Sequence, residues 1–528
     1  MLDTRASFGT FVSSLLLLAG SANAMPAGSG TAFQSGSNST SWVVGIPVNT
    51  TSGQIVGHPA PVATNVSEYL AIPYAQPPVG NLRFAAPQSY TGSGIINSTS
   101  MPLNCPQPAV GLPGLTSYPT GQFIEYLQAV GTGSDPNTNE DCLFLNVWTK
   151  PQSGEKKKAV MIWFYPGGFR SGGINNQGYS GQYYAEEHDV IVVAFNYRVA
   201  ALGFSGAPGL VQNVGLLDQR LAVEWVRDNI AAFGGDVDRI TLWGESAGAA
   251  SIDYYNYAWT HDPIIAGTIM ESGSTNLGGA ISSVTATTLW NSLVFTAGCM
   301  IGSNDQQLAC MRTIPVADLI GFTVTVSGGG YAFNPVVDNK IVFQDYTSLQ
   351  SQGAFIQKPA LVGSNENEAA WFKLTKGNNQ PEAYYTAVTL SLFTCVTRNL
   401  ATIRKQFTVP AWRYRFYPTF PDTTHPYNST IAMHTSEVPL VWGTYDVIKT
   451  VASTAEERSL SAAMMAYWAA FVKNPTSGLT AAGWPVFDPS SSSKSLALFG
   501  YNNDFTNVTF TTADSYDNGC SSVKAYCS

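Results

Sequence analysis

A serine between two near glycines ends the stretch Phe233 to Gly248, which reads F-G-G-D-V-D-R-I-T-L-W-G-E-S-A-G. The turn at Gly234-Gly235-Asp236 feeds a short buried-strand pattern, Arg239 to Trp243. A tight turn, Gly244-Glu245-Ser246-Ala247-Gly248, then opens a small-residue helix. Strand, sharp turn and helix with serine at the corner lift a hydroxyl clear of a sheet, and flanking glycines remove the Cβ clash. That hydroxyl could attack an acyl carbon. A glycine-rich turn is the bland alternative in a chain with 49 Gly, so the partners decide.

A serine nucleophile needs a general base, and the base needs a carboxylate to orient it. The chain has five histidines: His58, His188, His261, His425 and His434. Folds with this serine elbow run in the order serine, acid, histidine. His58 and His188 precede the serine, His261 follows it closely, and His425 lies beside the sequon at Asn428. His434 fits best. The acid should leave a strand end between Ser246 and His434. Pro359 to Val362 is such a strand, and it runs through Gly363 into Ser364-Asn365-Glu366-Asn367-Glu368. Glu366 and Glu368 compete. A third group, Pro166-Gly167-Gly168-Phe169, leaves a fully apolar strand at Ala159 to Tyr165. It can be a simple turn, or it can offer bare N–H groups to an oxyanion.

Behind these residues the chain alternates. Strand patterns fall at Trp42 to Ile46 (an edge strand), Tyr69 to Ala75, Glu140 to Trp148, Ala159 to Tyr165, Val190 to Asn196, Ala266 to Met270 and Pro359 to Val362. An amphipathic helix is expected at Leu216 to Ile230, and more helix late, at Glu437 to Thr450 and Ala455 to Val472. The alternation predicts an α/β class with a large, mixed, mostly parallel sheet. Chemistry-bearing segments run from about residue 69 to 487 with no linker, so residues 25–528 read as one domain.

Residues 1–24 have the form of a signal peptide: Arg5, an apolar run around Leu15 to Leu18, and Ala22-Asn23-Ala24 as a cleavage site. Secretion to the extracellular space follows. Sequons at Asn38, Asn49, Asn65, Asn97, Asn428 and Asn507 agree with it. In that compartment seven cysteines imply disulfides. Short spacing suggests Cys299 with Cys310, and Cys105 with Cys142 closes a longer loop. Cys520 can pair with Cys527 or with Cys395. The net charge of −9 and one short basic run, Lys156 to Lys158, argue against nucleic acid as a partner. The apolar stretches are too short for stable membrane insertion. No cysteine or histidine cluster suggests a metal.

Taken together, these segments resemble the type B carboxylesterases, a family that includes cholinesterases and yeast and fungal lipases. Phe233 to Gly248 and Glu140 to Val147 match its two signatures, and Tyr69 to Phe84, Asn196 to Phe204 and Asn213 to Asn229 look like family segments. The resemblance implies the α/β-hydrolase fold and ester hydrolysis without a cofactor or metal. It selects Glu368, which closes the run Gly363 to Glu368, over Glu366. It supports His434, which precedes Thr435-Ser436-Glu437-Val438-Pro439. It implies Gly167, Gly168 and Ala247 as oxyanion donors, Pro166 replacing a glycine that is not a donor. It also implies buried ion pairs Arg83–Glu140 and Arg198–Asp218, disulfides Cys105–Cys142 and Cys299–Cys310, and supporting roles for Glu245 and Ser272.

The expected function is a secreted serine carboxylic ester hydrolase acting on a small ester or a lipid. One alternative is a true triacylglycerol or sterol ester lipase whose lid is the 105–142 excursion. That segment holds no Trp, unlike the matching loop of cholinesterases. The rival from another class is a non-catalytic binding protein on the same fold. Retention of Ser246, Glu368 and His434 argues against it.

Overall fold

The structure is a computed structural model. It describes residues 42–108, 130, 137–277, 279–327, 332–372, 380–422, 431–447, 451–490 and 492–521. The leader at 1–24, the sequons at Asn38 and Asn428, His425, Cys527 and most of the expected lid lie outside the described residues.

The strands are β1 (Val48–Thr50), β2 (Gly53–Val56), β3 (His58–Pro59), β4 (Ser67–Pro73), β5 (Ile95–Asn97), β6 (Phe144–Thr149), β7 (Lys158–Phe164), β8 (Ile191–Phe195), β9 (Gly235–Glu245), β10 (Gly267–Glu271), β11 (Ala360–Asn365), β12 (Ala411–Phe416), β13 (Leu496–Phe499) and β14 (Thr509–Thr511). β1, β2 and β5 make a small separate sheet. The other eleven form one sheet in the order β14-β13-β12-β11-β10-β9-β7-β8-β6-β4-β3. From β13 to β8 every neighbour is parallel, and antiparallel pairs close both ends. This is the α/β-hydrolase architecture.

The parallel centre explains the sequence pattern. Strands covered by helices on both faces are apolar throughout. β7 and β8 are buried at every residue. Beneath the serine strand, three indoles interlock. Trp243 lies 4.6 Å from Trp163 and 4.5 Å from Trp442 between ring centroids. Tryptophan buries on the order of 150–250 Å², so this cluster fixes β7, β9 and the segment after His434 as one block.

Two expected elements differ. Trp42 to Ile46 is not a strand: Gly45 turns at φ 75°, and the first strand begins at Val48. The helix expected at Glu437 to Thr450 spans only Val438–Trp442. It stops at Gly443 in the left-handed region, where any Cβ would meet the Met465 sulfur at 2.6 Å. A short 3₁₀ turn, Tyr445–Val447, follows. The late helix runs Ala455–Lys473, started by a capping box between Thr454 and Glu457.

Both ion pairs are present, Arg198–Asp218 fully buried and Arg83–Glu140 partly so. Arg198 meets Asp218 at 2.7 Å, and Arg83 meets Glu140 at 2.5 Å while also donating to the carbonyls of Met311 and Ile314. Disulfides join Cys105 to Cys142, Cys299 to Cys310 and Cys395 to Cys520. The third resolves the open choice at Cys520 in favour of Cys395. Asn49, Asn65, Asn97 and Asn507 are exposed. Among the described residues no single helix is long and apolar enough to cross a membrane.

Candidate active site

Ser246 sits between β9 and the helix Ala247–Ala258, at φ 52° and ψ −118°. A non-glycine residue there is strained. Packing imposes the conformation: the Ser246 N–H donates to the Glu271 carbonyl at 2.9 Å. Two residues on, a Cβ at Gly248 would stand 1.9 Å from the Phe164 carbonyl. Only glycine lets the elbow helix approach β7 this closely.

Glu368 leaves the C-terminal end of β11, two strands from β9, and His434 arrives on the segment after β12. Three backbone and side-chain ties join these loops. Asn367 N–H donates to the Ala432 carbonyl at 2.9 Å, and Asn365 Nδ2 donates to the Met433 carbonyl at 2.7 Å and to Glu437 Oε2 at 2.5 Å. Between them His434 Nε2 lies 2.8 Å from Ser246 Oγ, and His434 Nδ1 lies 2.7 Å from Glu368 Oε2. The other oxygen of Glu368 accepts from Ser272 Oγ and from the Asn365 N–H, both at 2.6 Å. These contacts engage both oxygens of the buried carboxyl and fix its orientation toward the imidazole.

The competing residues lie elsewhere. The carboxyl of Glu366 is half-buried and is raised by that burial, with Arg415 opposing the shift. His58 pairs with Glu68 at 3.3 Å. His188 packs on Tyr184, and burial pushes it down to about 4. His261 is exposed.

Gly167 and Gly168 follow β7 with φ values of 117° and 63°. Gly167 admits no side chain, since a Cβ would stand 2.1 Å from the Ser171 carbonyl. Its own carbonyl accepts from the amides of Arg170 and Ser171, while the amides of Gly167 and Gly168 donate to no carbonyl among the described residues. Ala247 opens the elbow helix, so its N–H has no acceptor within the helix. The Ala247 amide likewise donates to no carbonyl among the described residues.

A feature unread in the sequence lies underneath. Glu245, Glu271 and Glu437 are fully buried beside Glu368. Glu271 Oε1 accepts from Trp243 Nε1 at 2.7 Å and Trp468 Nε1 at 2.6 Å. Glu245 Oε1 stands 3.3 Å from His434 Nε2 without hydrogen-bond alignment. Burial, and then neighbouring carboxylates, push Glu245 and Glu271 well above the usual carboxyl range. Burial, then the charge of Glu368, pushes Glu437 up to about 7. The resemblance had implied a supporting role for Glu245, the sequence offered Glu437 only as a motif letter, and nothing marked Glu271.

The profile of the carboxylesterase family matches residues 45–384 and 375–515. The chain belongs to the carboxylesterase family. It is a carboxylic ester hydrolase. This carboxylesterase is 36% identical over 442 residues to a chlorogenic acid esterase from Aspergillus niger, covering 82% of this chain and 84% of that one. It is 35% identical over 477 residues to secreted lipase 5 of Gibberella zeae, covering 83% and 87%. It is 35% identical over 341 residues to an acetylcholinesterase of Electrophorus electricus, covering 62% and 52%.

Proposed function

We propose that this carboxylesterase cleaves its ester by acyl transfer through Ser246, with His434 as base and Glu368 as the orienting acid. The observation that carries the reading is the unbroken chain of contacts, 2.8 Å from Ser246 to His434 and 2.7 Å from His434 to Glu368. His434 Nε2 takes the hydroxyl proton as Oγ bonds to the carbonyl carbon. Negative charge moves to the carbonyl oxygen, which the amides of Gly167, Gly168 and Ala247 hold. Each such donor is worth roughly 10²–10³ in rate. As the intermediate collapses, the carbon–alkoxy bond breaks and His434 gives the proton to the departing alcohol. Water then repeats the sequence and frees the acid. Glu368 holds the imidazole in the tautomer with hydrogen on Nδ1 and stabilises the imidazolium.

We also propose that the protein is secreted. The leader-like residues 1–24, three disulfides, exposed sequons and the likeness to a secreted lipase support this. The substrate is an ester of a small acid or a lipid, and the likeness to the Gibberella lipase favours testing the lipase alternative directly.

The test is hydrolysis of p-nitrophenyl esters from short to long acyl chains, with chlorogenic acid and emulsified triacylglycerol alongside, by the wild type and Ser246→Ala. The variant should lose on the order of 10⁴-fold or more in kcat. Equal rates for the two proteins would refute the serine mechanism. A rise in rate when long-chain substrate forms an emulsion would assign a lipase, and a short-chain preference an esterase.

A further inference from the structure

The imidazole of His434 is flanked by two phenylalanine rings. Phe372 lies 6.2 Å away between centroids at an interplanar angle of 26°, and Phe393 lies 5.3 Å away at 58°. Phe372 is close in sequence to Glu368. Phe393 comes from a separate element, with an irregular backbone. The helix Glu382–Thr389 and the helix Cys395–Gln406 are joined without a break by a π-helical turn, Leu390–Thr394. A π turn holds one residue more per turn than an α-helix, a poorer geometry that persists where something is gained from it.

One end of this turn is fastened beside Glu368 and the other to the strand β12. At the near end, Thr389 Oγ1 accepts from the Ala369 N–H at 3.0 Å and bonds Asn367 Oδ1 at 3.2 Å, on either side of Glu368 in the chain. At the far end, the Thr394 carbonyl accepts from Arg413 Nη2 at 3.0 Å and its hydroxyl accepts from Arg415 Nη1 at 3.1 Å. Both arginines project from β12. Arg413 is in turn clamped by Asp517 at 2.7 Å, and Cys395 is bonded to Cys520. Between these anchors Phe393, 1% exposed, lies with its ring 5.3 Å from the imidazole of His434.

We propose that the π turn Leu390–Thr394 is a positioning device for the base, with Phe393 as its contact. This rests on the reading of His434 given above. The ring of Phe393 blocks rotation of the imidazole out of line with Ser246. Its face also attracts the imidazolium that forms during proton transfer. Phe393 touches no substrate atom in this account; it acts through His434.

The experiment compares Phe393→Ala, Phe393→Leu, Leu400→Ala and Ser246→Ala with the wild type, on p-nitrophenyl acetate, alongside thermal melting. Leu400 is a buried residue of the following helix and serves as the control for packing loss alone. Phe393→Ala should lose about 10- to 100-fold in kcat, because small misplacement of a reacting group is that costly. Its KM should stay within about two-fold, since ground-state binding is untouched. Phe393→Leu, which keeps bulk against the ring, should recover part of kcat. Leu400→Ala should melt earlier yet keep kcat within about two-fold. Wild-type kcat in Phe393→Ala, or an equal kcat loss in Leu400→Ala, would overturn the proposal. If Phe393→Ala does not fold, Phe393→Leu decides: an unchanged kcat sinks the proposal and a selective fall in kcat supports it. If instead Ser246→Ala is as active as the wild type, the underlying mechanism fails and this inference falls with it.

Discussion

Glu245 and Glu271 end adjacent parallel strands in direct register, so two buried carboxyl groups lie side by side beneath the Ser246 elbow. Charged together in a low dielectric they would repel strongly. Among the described residues Glu271 has two indole donors and Glu245 has none. Burial first, and then the charge of Glu437, push both carboxyls well above the usual range, while Glu368 alone of the cluster faces His434 Nδ1, at 2.7 Å.

The same logic gives a pH dependence. Glu437 has a folded pKa of about 7, above the ordinary 4.5. The folded state therefore binds the proton more tightly than the unfolded one. Its penalty is absent below about pH 4.5, grows as pH rises, and levels off above about 7. Glu437→Gln can keep the bond from Asn365 Nδ2 without a charge. Relative to wild type, the variant should gain stability from pH 5 to pH 8, by about 3 kcal/mol at most. Urea unfolding at several pH values tests this. A difference independent of pH would mean that Glu437 does not titrate in this range.

Glu368 and Glu366 are two residues apart, and only Glu368 reaches His434. Glu368→Gln should lower kcat by about 10⁴-fold, the scale seen when the orienting acid of a serine triad becomes an amide. Glu366→Gln should stay within about two-fold in kcat. Steady-state kinetics on one ester separates them, and the reverse ranking would reassign the acid.

Gly167→Ala adds a methyl group that meets the Ser171 carbonyl, on a backbone at φ 117°. The turn must shift and carry its amides out of place. We expect kcat to fall on the order of 10²-fold or more, with KM little changed. Circular dichroism should show the fold retained. Full activity would remove this loop from the oxyanion site.

The disulfides should rank by the loop each closes. Cys395–Cys520 spans 125 residues and Cys299–Cys310 spans 11. Chain entropy alone assigns about 5 kcal/mol to the first and about 3 to the second. The double serine variant at 395 and 520 should therefore have the lower midpoint in urea. The opposite order would show that local packing outweighs loop entropy here.

The sequence by itself determined the α/β class and most of the central strands, and it named candidate chemistry-bearing residues. Central strands were legible because burial on both faces leaves them apolar. Ser246 was legible because the elbow needs glycines at fixed spacing. Both ion pairs and the choice of Glu368 over Glu366 came from motif likeness, which also supported His434 and the two disulfides that order and spacing had suggested. The tertiary structure alone decided what depends on neighbours far apart in the chain. Cys520 had two possible partners, and only the packing of its segment against the helix at 395 chose between them. The helix after His434 ends at Trp442 at a left-handed Gly443, a local stop signal that the expected helix ran past, and the Met465 sulfur leaves no room there for a Cβ. Glu271 and Glu437 look like ordinary surface letters, and Glu245 carries only a supporting role implied by the resemblance. They become a buried carboxyl cluster only because strand register and one loop bring them together. Phe393 reaches His434 through a π turn, a departure from helical spacing that periodicity cannot show.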